Sequence, residues 1–192
     1  LALKADLDAL TVAVQGVGNV GASLCRQLAE AGAKLVIADI DAQRCRALAD
    51  ELGARVVDVA DIAAVEADIF APCALGGALT QDSVAAMKAQ LVCGAANNQL
   101  ETRDMGAELV KRGILYAPDY VINAGGIINV MGEIDPRFDA KWVEGKLHTL
   151  KATLGEIMDT AARENRPSNI VADEIARQRL ADAAEQKALA AE

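Results

Sequence analysis

The sequence predicts an α/β fold: a doubly wound, mostly parallel sheet with helices on both faces, followed by C-terminal helices. Three observations carry this expectation. Short apolar runs alternate with helical patterns from residue 11 to about residue 130. Hydrophobic residues make up 53% of the 192 residues but aromatics only 3%. That alanine-rich balance suits helices packed closely on a buried sheet better than a β-sandwich. After Asp135-Pro136 the alternation stops and two long helical patterns take over. Residues 1–138 are therefore expected to form a sheet-containing domain, and residues 139–192 a helical segment packed on it or on a further domain.

The elements follow in order. "TVAVQG" (11–16) is a buried-strand run ending in glycine, and "VGASLCRQLAEAG" (20–32) reads as a helix stopped by Gly32. "KLVIADID" (34–41) is a second strand, and "AQRCRALADELG" (42–53) a helix closed by Gly53. "ARVVD" (54–58) and "ADIFAP" (67–72) are the third and fourth strands. "TQDSVAAMKAQ" (80–90) is a helix with Thr80 as N-cap. "LVCGAANN" (91–98) is a fifth strand running into a loop, "TRDMGAELVKRG" (102–113) a helix, and "ILYAPD" (114–119) a last short strand. Such a β-α-β-α rhythm implies right-handed crossovers. From about Asp139 to Asn165 the apolar stripe is Val143, Leu147, Leu150, Leu154, Ile157 and Ala161, at helical spacings of three and four. Arg166-Pro167-Ser168 breaks it before a second helix from about Asn169 to Ala190.

Charge and composition exclude several classes. The net charge is −9 and no Lys/Arg block appears, which argues against nucleic acid and anionic membrane surfaces as partners. No run of about 20 apolar residues without charges appears, and no secretory leader opens the chain. Cys25, Cys45, Cys73 and Cys93 lie about twenty residues or more apart with no CxxC pair, so buried reduced thiols in a cytoplasmic protein are a better reading than a disulfide framework or a metal site. The first residue is Leu1 rather than methionine, and a processed or excised piece is expected.

Gly16-Val17-Gly18-Asn19-Val20-Gly21 is G-x-G-x-x-G, set after an apolar strand and opening a helix. In that context Gly16 permits the tight turn, Gly18 the approach of a pyrophosphate, and Gly21 close helix–strand packing. Unpaired N–H groups at the helix start suit phosphate oxygens. Asp39 ends the second strand, eighteen residues past Gly21. A carboxylate there accepts hydrogen bonds from adenine-ribose hydroxyls and repels a 2′-phosphate, which favours NAD over NADP; the nearby Arg44 is the residue that would soften the preference. Asp39 and Asp41 also suit a plainer role as caps of the helix at residue 42. The sheet is thus expected to be Rossmann-like. Ligands of such sheets sit beyond the carboxyl ends of the strands, where "APCALGGALT", "GAANNQL" and "APDYVINAGGIINV" all fall.

"GVGNVG", "VIAD", "APCALGGALT", "GAANNQL" and "ILYAPDYVINAGGIINV", in this order and spacing, resemble the NAD-binding, C-terminal domain of the glutamate/leucine/phenylalanine/valine dehydrogenase family, its leucine and phenylalanine branch best. The resemblance covers Thr11 to Val130 closely and the helical tail loosely. It implies NAD-dependent oxidative deamination of an L-amino acid to a 2-oxo acid and ammonia. It also implies site residues. Gly16, Gly18, Asn19, Val20 and Gly21 would line the pyrophosphate, and Asp39, Ile40 and Arg44 the adenosine. Ala74 and Leu75 would present backbone to the cofactor. Ala95, Ala96 and Asn97 would lie by the nicotinamide ribose, with Asn97 also reaching substrate, and Asn123 near the nicotinamide end. Ile127 and Val130, on one helix face, would form part of the substrate side-chain pocket. A bulky aliphatic at 127 favours leucine, valine or isoleucine over phenylalanine, graded because one methylene is worth only about 1–3 kcal/mol.

The family holds its substrate carboxylate and its base chemistry on two lysines and an aspartate in an N-terminal domain. Only "LALKADLDAL" precedes the first strand here; it lacks glycine, and a charged helix is a better reading of it than a catalytic Lys4. No catalytic residue is therefore assigned to this chain, which is expected to bind NAD and turn over negligibly by itself. The alternative is a stand-alone, non-catalytic NAD(H)-binding or sensor module, and a Rossmann domain of another oxidoreductase is a third reading. Family enzymes are oligomers, so a homo-oligomer is possible. His148, the only histidine, falls off the apolar stripe and reads as solvated. Cys73 reads as packing, Asp119 as the cap of a helix starting near Tyr120, and Trp142 as packing at a helix start.

Overall fold

The computed structural model describes residues 5–135 and 137–189, so Lys4 and Ala190 lie outside the described residues. Six parallel strands form one sheet: β1 (Thr11–Gln15), β2 (Lys34–Ala38), β3 (Arg55–Val56), β4 (Ile69–Pro72), β5 (Leu91–Val92) and β6 (Leu115–Tyr116). Their order is β3-β2-β1-β4-β5-β6. The order reverses between β1 and β4, so a crevice opens there at the carboxyl ends of the strands. Ala13 sits in register between Val36 of β2 and Phe70 of β4.

Both faces of the sheet are covered, which is why the strands read as unbroken apolar runs. Val12, Val14, Leu35 and Ile37 point to one face, against Cys25 of α1 (Asn19–Glu30) and Cys45 and Leu48 of α2 (Ala42–Leu52). Ala13, Val36, Phe70 and Val92 point to the other, against Val84 of α3 (Gln81–Ala86) and Leu109 of α4 (Met105–Lys111). Each large side chain so buried stabilises the fold by about 1.5–3 kcal/mol.

Local chemistry sets the boundaries. Gly53, at φ +67°, closes α2 with its N–H on the Ala49 carbonyl. Thr80 and Ser83 form a reciprocal capping box at the start of α3. The helix expected over residues 81–90 ends at Ala86, because Met87 turns extended and is buried, 1% exposed, beneath the sheet. The third strand shrinks to Arg55–Val56 at the exposed sheet edge. Among the described residues before β1, Leu7–Ala9 form a single 3-10 turn.

Beyond β6 come α5 (Asp119–Ile122), α6 (Ala124–Ile134), α7 (Ala140–Glu164) and α8 (Ser168–Leu189). Asp139 caps α7, accepting from the Trp142 N–H at 2.8 Å. The apolar stripe of α7 is covered by the chain's own elements from Leu150 to Ala161, while Leu147 is left 42% exposed. Ile157 and Ala161 are buried with Val121, Val171 and Ala172, and Leu150 and Leu154 pack beside them. Val143 and Leu147 lie on the glycine face of α6, where a Cβ at Gly132 would fall 2.6 Å from Val143 Cγ2. The opposite face of α6 carries Ile127, Val130, Met131 and Ile134, all exposed. No helix among the described residues is long and apolar enough to cross a membrane.

Candidate cofactor and substrate cleft

The glycine loop is built by close contacts that side chains would forbid. Gly16 adopts φ +93°, and a Cβ there would meet Ala74 at 2.8 Å. A Cβ at Gly21 would lie 2.0 Å from the Gly16 carbonyl oxygen, so α1 packs directly on the loop. Gly18 differs: nothing lies within 4 Å of a Cβ placed there. It is the N-cap of α1, with no side-chain cap and no acidic residue in the first turn. The open space above Gly18 and the uncapped N–H groups of Asn19 and Val20 fit an anionic diphosphate.

Asp39 and Asp41 divide the two roles that either could have played. Asp41 caps α2, accepting from the Arg44 N–H at 3.0 Å. Asp39 instead holds the glycine loop: Oδ2 accepts from the Val17 N–H at 2.7 Å and Oδ1 from the Asp41 N–H at 2.8 Å. The Arg44 guanidinium pairs with Asp41 at 3.0 Å and stands 4.0 Å from Asp39. Around these residues lies a cleft of about 440 Å³ lined by Gly16, Gly18, Asp39, Ile40, Ala74 and Leu75. Ile40 and Leu75, at the rim of this cleft, are 93% and 87% exposed.

The next two loops are joined edge to edge. Gly77 N–H donates to the Asn98 carbonyl at 2.8 Å and Leu79 N–H to the Gln99 carbonyl at 2.9 Å. Asn123, just before α6, donates from Nδ2 to the carbonyls of Ala95 (3.0 Å) and Ala96 (3.2 Å) and to Asn97 Oδ1 (3.0 Å). The fold thus brings Ala95, Ala96, Asn97 and Asn123 into one hydrogen-bonded group. Ile127 and Val130, 62% and 42% exposed, stand on α6 beyond them as an open apolar wall.

Three residues that sequence reasoning did not assign to the site support it from below. Gln99 is fully buried, and its Nε2 donates to the carbonyls of Gly94 (2.5 Å) and Ala96 (2.9 Å). Asp119 corrects the cap expectation: it is 7% exposed, caps nothing, and accepts from the Gln99 N–H (3.3 Å) and the Tyr116 hydroxyl (3.0 Å). Burial raises the Tyr116 phenol above its ordinary pKa, so it stays a donor. Only the polar run "NNQL" and the spacing of Tyr116 and Asp119 hinted at this, and neither names a partner.

Other singled-out residues are plain. His148 is exposed, with Nδ1 3.1 Å from the Glu144 carbonyl. Burial raises the thiol pKa of Cys73 and Cys93, which keeps them neutral rather than nucleophilic. Trp142 stacks on Phe138 at 4.3 Å. Among the described residues no group of three or more His, Cys, Asp or Glu is placed to hold a metal ion.

The family model described as Glutamate/Leucine/Phenylalanine/Valine dehydrogenase matches residues 37–188. The chain is 41% identical to the leucine dehydrogenase of Bacillus subtilis (strain 168) over 91% of its own length and 48% of the relative's. It is 42% identical to the L-tryptophan dehydrogenase of Nostoc punctiforme over 96% of its length and 52% of the relative's. The crystal structure of L-tryptophan dehydrogenase from Nostoc punctiforme superposes with a TM-score of 0.87 at 40% identity, covering 94% of this chain and 55% of that one. The chain spans about half the length of the relatives it matches. With a family match across most of its residues, this chain belongs to the glutamate/leucine/phenylalanine/valine dehydrogenase family.

Proposed function

We propose that this chain is the cofactor-binding half of an NAD-dependent amino-acid dehydrogenase, with residues 1–138 forming the dinucleotide-binding domain and residues 139–192 its helical extension. The observation that carries the reading is the glycine loop: Gly18 opens onto free space at an uncapped helix start, beside a carboxylate anchored at the end of β2. Gly16 to Gly21 would hold the diphosphate on backbone N–H groups. Asp39 would accept from the ribose hydroxyls with lone pairs that Val17 and Asp41 leave free, and Ile40 and Leu75 would flank the adenine. Arg44 is committed to Asp41, so a 2′-phosphate would meet carboxylates before it met a free cation. That supports NAD over NADP.

The bound nicotinamide would supply the hydride acceptor. The chain's own residues orient it: Asn123 pins the turn of Ala95 and Ala96, and Asn97 presents its amide at the mouth. Ile127 and Val130 offer an aliphatic wall to the substrate side chain, which favours leucine, valine or isoleucine over phenylalanine. The loops at the carboxyl ends of the strands contain no lysine. The one cation in those loops, Arg103, is paired with Asp173 at 2.6 Å, and no amine base stands there to deprotonate a substrate ammonium group. The chain alone should therefore bind cofactor without turning over substrate. The test pairs NADH fluorescence titration with an L-leucine-dependent NAD reduction assay on this chain. Saturable binding without turnover is expected, and leucine-dependent reduction by this chain alone would overturn the assignment of roles.

A further inference from the structure

The turn after β5 is held by an arrangement that its exposed residues do not explain. Every carbonyl of Gly94, Ala95 and Ala96 accepts from a side-chain amide. Asn123 takes Ala95 and Ala96 from the α6 side. Gln99 takes Gly94 and Ala96 from within the core, where it is fully buried. The Ala96 N–H is also spent, on the Pro72 carbonyl at 2.8 Å. The turn is pressed against β4 as well: a Cβ at Gly94 would lie 2.3 Å from the Pro72 carbonyl oxygen. The backbone leading into Asn97 is thus held from both sides.

The backbone of Gln99 is itself tied, while its side-chain Oε1 is buried without a partner among the described residues. The Gln99 N–H donates to Asp119 Oδ2, and Asp119 Oδ1 accepts from the Tyr116 hydroxyl. All three side chains are buried, with 0%, 7% and 4% exposure. No salt bridge to Asp119 exists among the described residues. A carboxylate removed from water with only neutral donors is costly to keep, and an apolar trio of the same shape would fill the space without that cost. What the polar trio adds is direction. It ties the end of β6 to the turn after β5, across neighbouring strands, at the place where the proposed cofactor's nicotinamide would lie.

We propose that Gln99, anchored through Asp119 to Tyr116, is the positioning residue for the nicotinamide half of the cofactor site. The inference rests on the NAD reading above and extends it. The side chains of the network touch neither the glycine loop nor Asp39; the Gln99 carbonyl meets the loop after β4 through the Leu79 N–H, a backbone bond that side-chain substitution leaves in place, so the side chains act on the nicotinamide half.

The experiment compares NADH with ADP-ribose, which keeps the adenosine and diphosphate and lacks the nicotinamide. Calorimetric affinities are measured for the wild-type chain, Gln99→Leu and Tyr116→Phe, with thermal unfolding as the check on folding. Loss of the two Gln99 donors is expected to weaken NADH about tenfold, the worth of one net hydrogen bond or slightly more, while ADP-ribose stays within about twofold. Tyr116→Phe removes one hydroxyl, leaves the packing, and is expected to shift the same ratio by about threefold. It carries the comparison if Gln99→Leu does not fold. A parallel loss of both ligands, or no change in either, overturns the proposal. Wild-type chain that binds neither ligand overturns the NAD reading itself, and this inference with it.

Discussion

Gly18→Ala separates folding from binding. Gly18 has φ −65° and ψ −163°, a backbone that alanine adopts without strain, and no atom lies within 4 Å of the added methyl. Two small terms act on stability. Alanine is a poorer N-cap than glycine by about 0.5–1 kcal/mol. Restricting the unfolded chain returns about 0.4–1 kcal/mol. They nearly cancel, and at about 2–4 °C per kcal/mol for a chain of this size the melting temperature should stay within about 2 °C of wild type. Binding is another matter. The methyl fills the space where a diphosphate oxygen must approach the helix-start N–H groups. Losing two such charge-assisted bonds, each worth about 1.5 kcal/mol, costs about 3 kcal/mol or a hundredfold in affinity. Scanning fluorimetry and calorimetry with NADH read both quantities. Gly21→Ala is the opposite case: its methyl would fall 2.0 Å from the Gly16 carbonyl oxygen, so α1 must move and stability drops by about 1–3 kcal/mol. Wild-type NADH affinity in Gly18→Ala, or a fall of more than about 5 °C in its melting temperature, would refute the reasoning.

Asp39→Asn keeps one acceptor for the Val17 and Asp41 N–H groups and loses the charge. Stability should fall by about 1–3 kcal/mol, and the NADH-to-NADPH affinity ratio by about tenfold, both readable by fluorimetry and titration. The Cys25 thiol, buried against the sheet, is pushed up to about 12 from 9.0, chiefly by burial. The folded state thus favours the neutral thiol; its contribution is whole below pH 9 and lost as pH rises towards 12. Urea midpoints should fall across that window, less steeply in Cys25→Ala. In an active enzyme containing this chain, Ile127→Ala should shift kcat/KM towards phenylalanine relative to leucine by about tenfold, as enlarging an aliphatic pocket does.

Much of the fold was legible because both faces of the sheet are covered, which forces apolar strand runs such as Thr11–Gln15 and Lys34–Ala38. Stops were legible where one residue type does the work, as with the left-handed Gly53 and the Thr80 cap. The glycine loop was readable for the same reason. What local pattern could not convey was long-range burial. Met87 looks helical by propensity but is drawn out of α3 to fill the core. Asp119, after a proline, has the local look of a cap; its partner Gln99 lies 20 residues away and meets it only because β5 and β6 are neighbours. Tyr120 likewise donates to Asp173 at 2.9 Å across 53 residues, docking α8 on α5. The stripe of α7 announced a helix face, but its coverings, the glycines of α6 and the start of α8, follow from tertiary packing alone.

The central claim is that these residues form an NAD site. Calorimetric titration of the wild-type chain with NADH and, separately, NADPH tests it most directly. The account requires saturable one-to-one binding of NADH, with NADPH weaker by about tenfold or more, the worth of a 2′-phosphate held against Asp39. No heat of binding with NADH up to millimolar concentration, or tighter binding of NADPH, would contradict it.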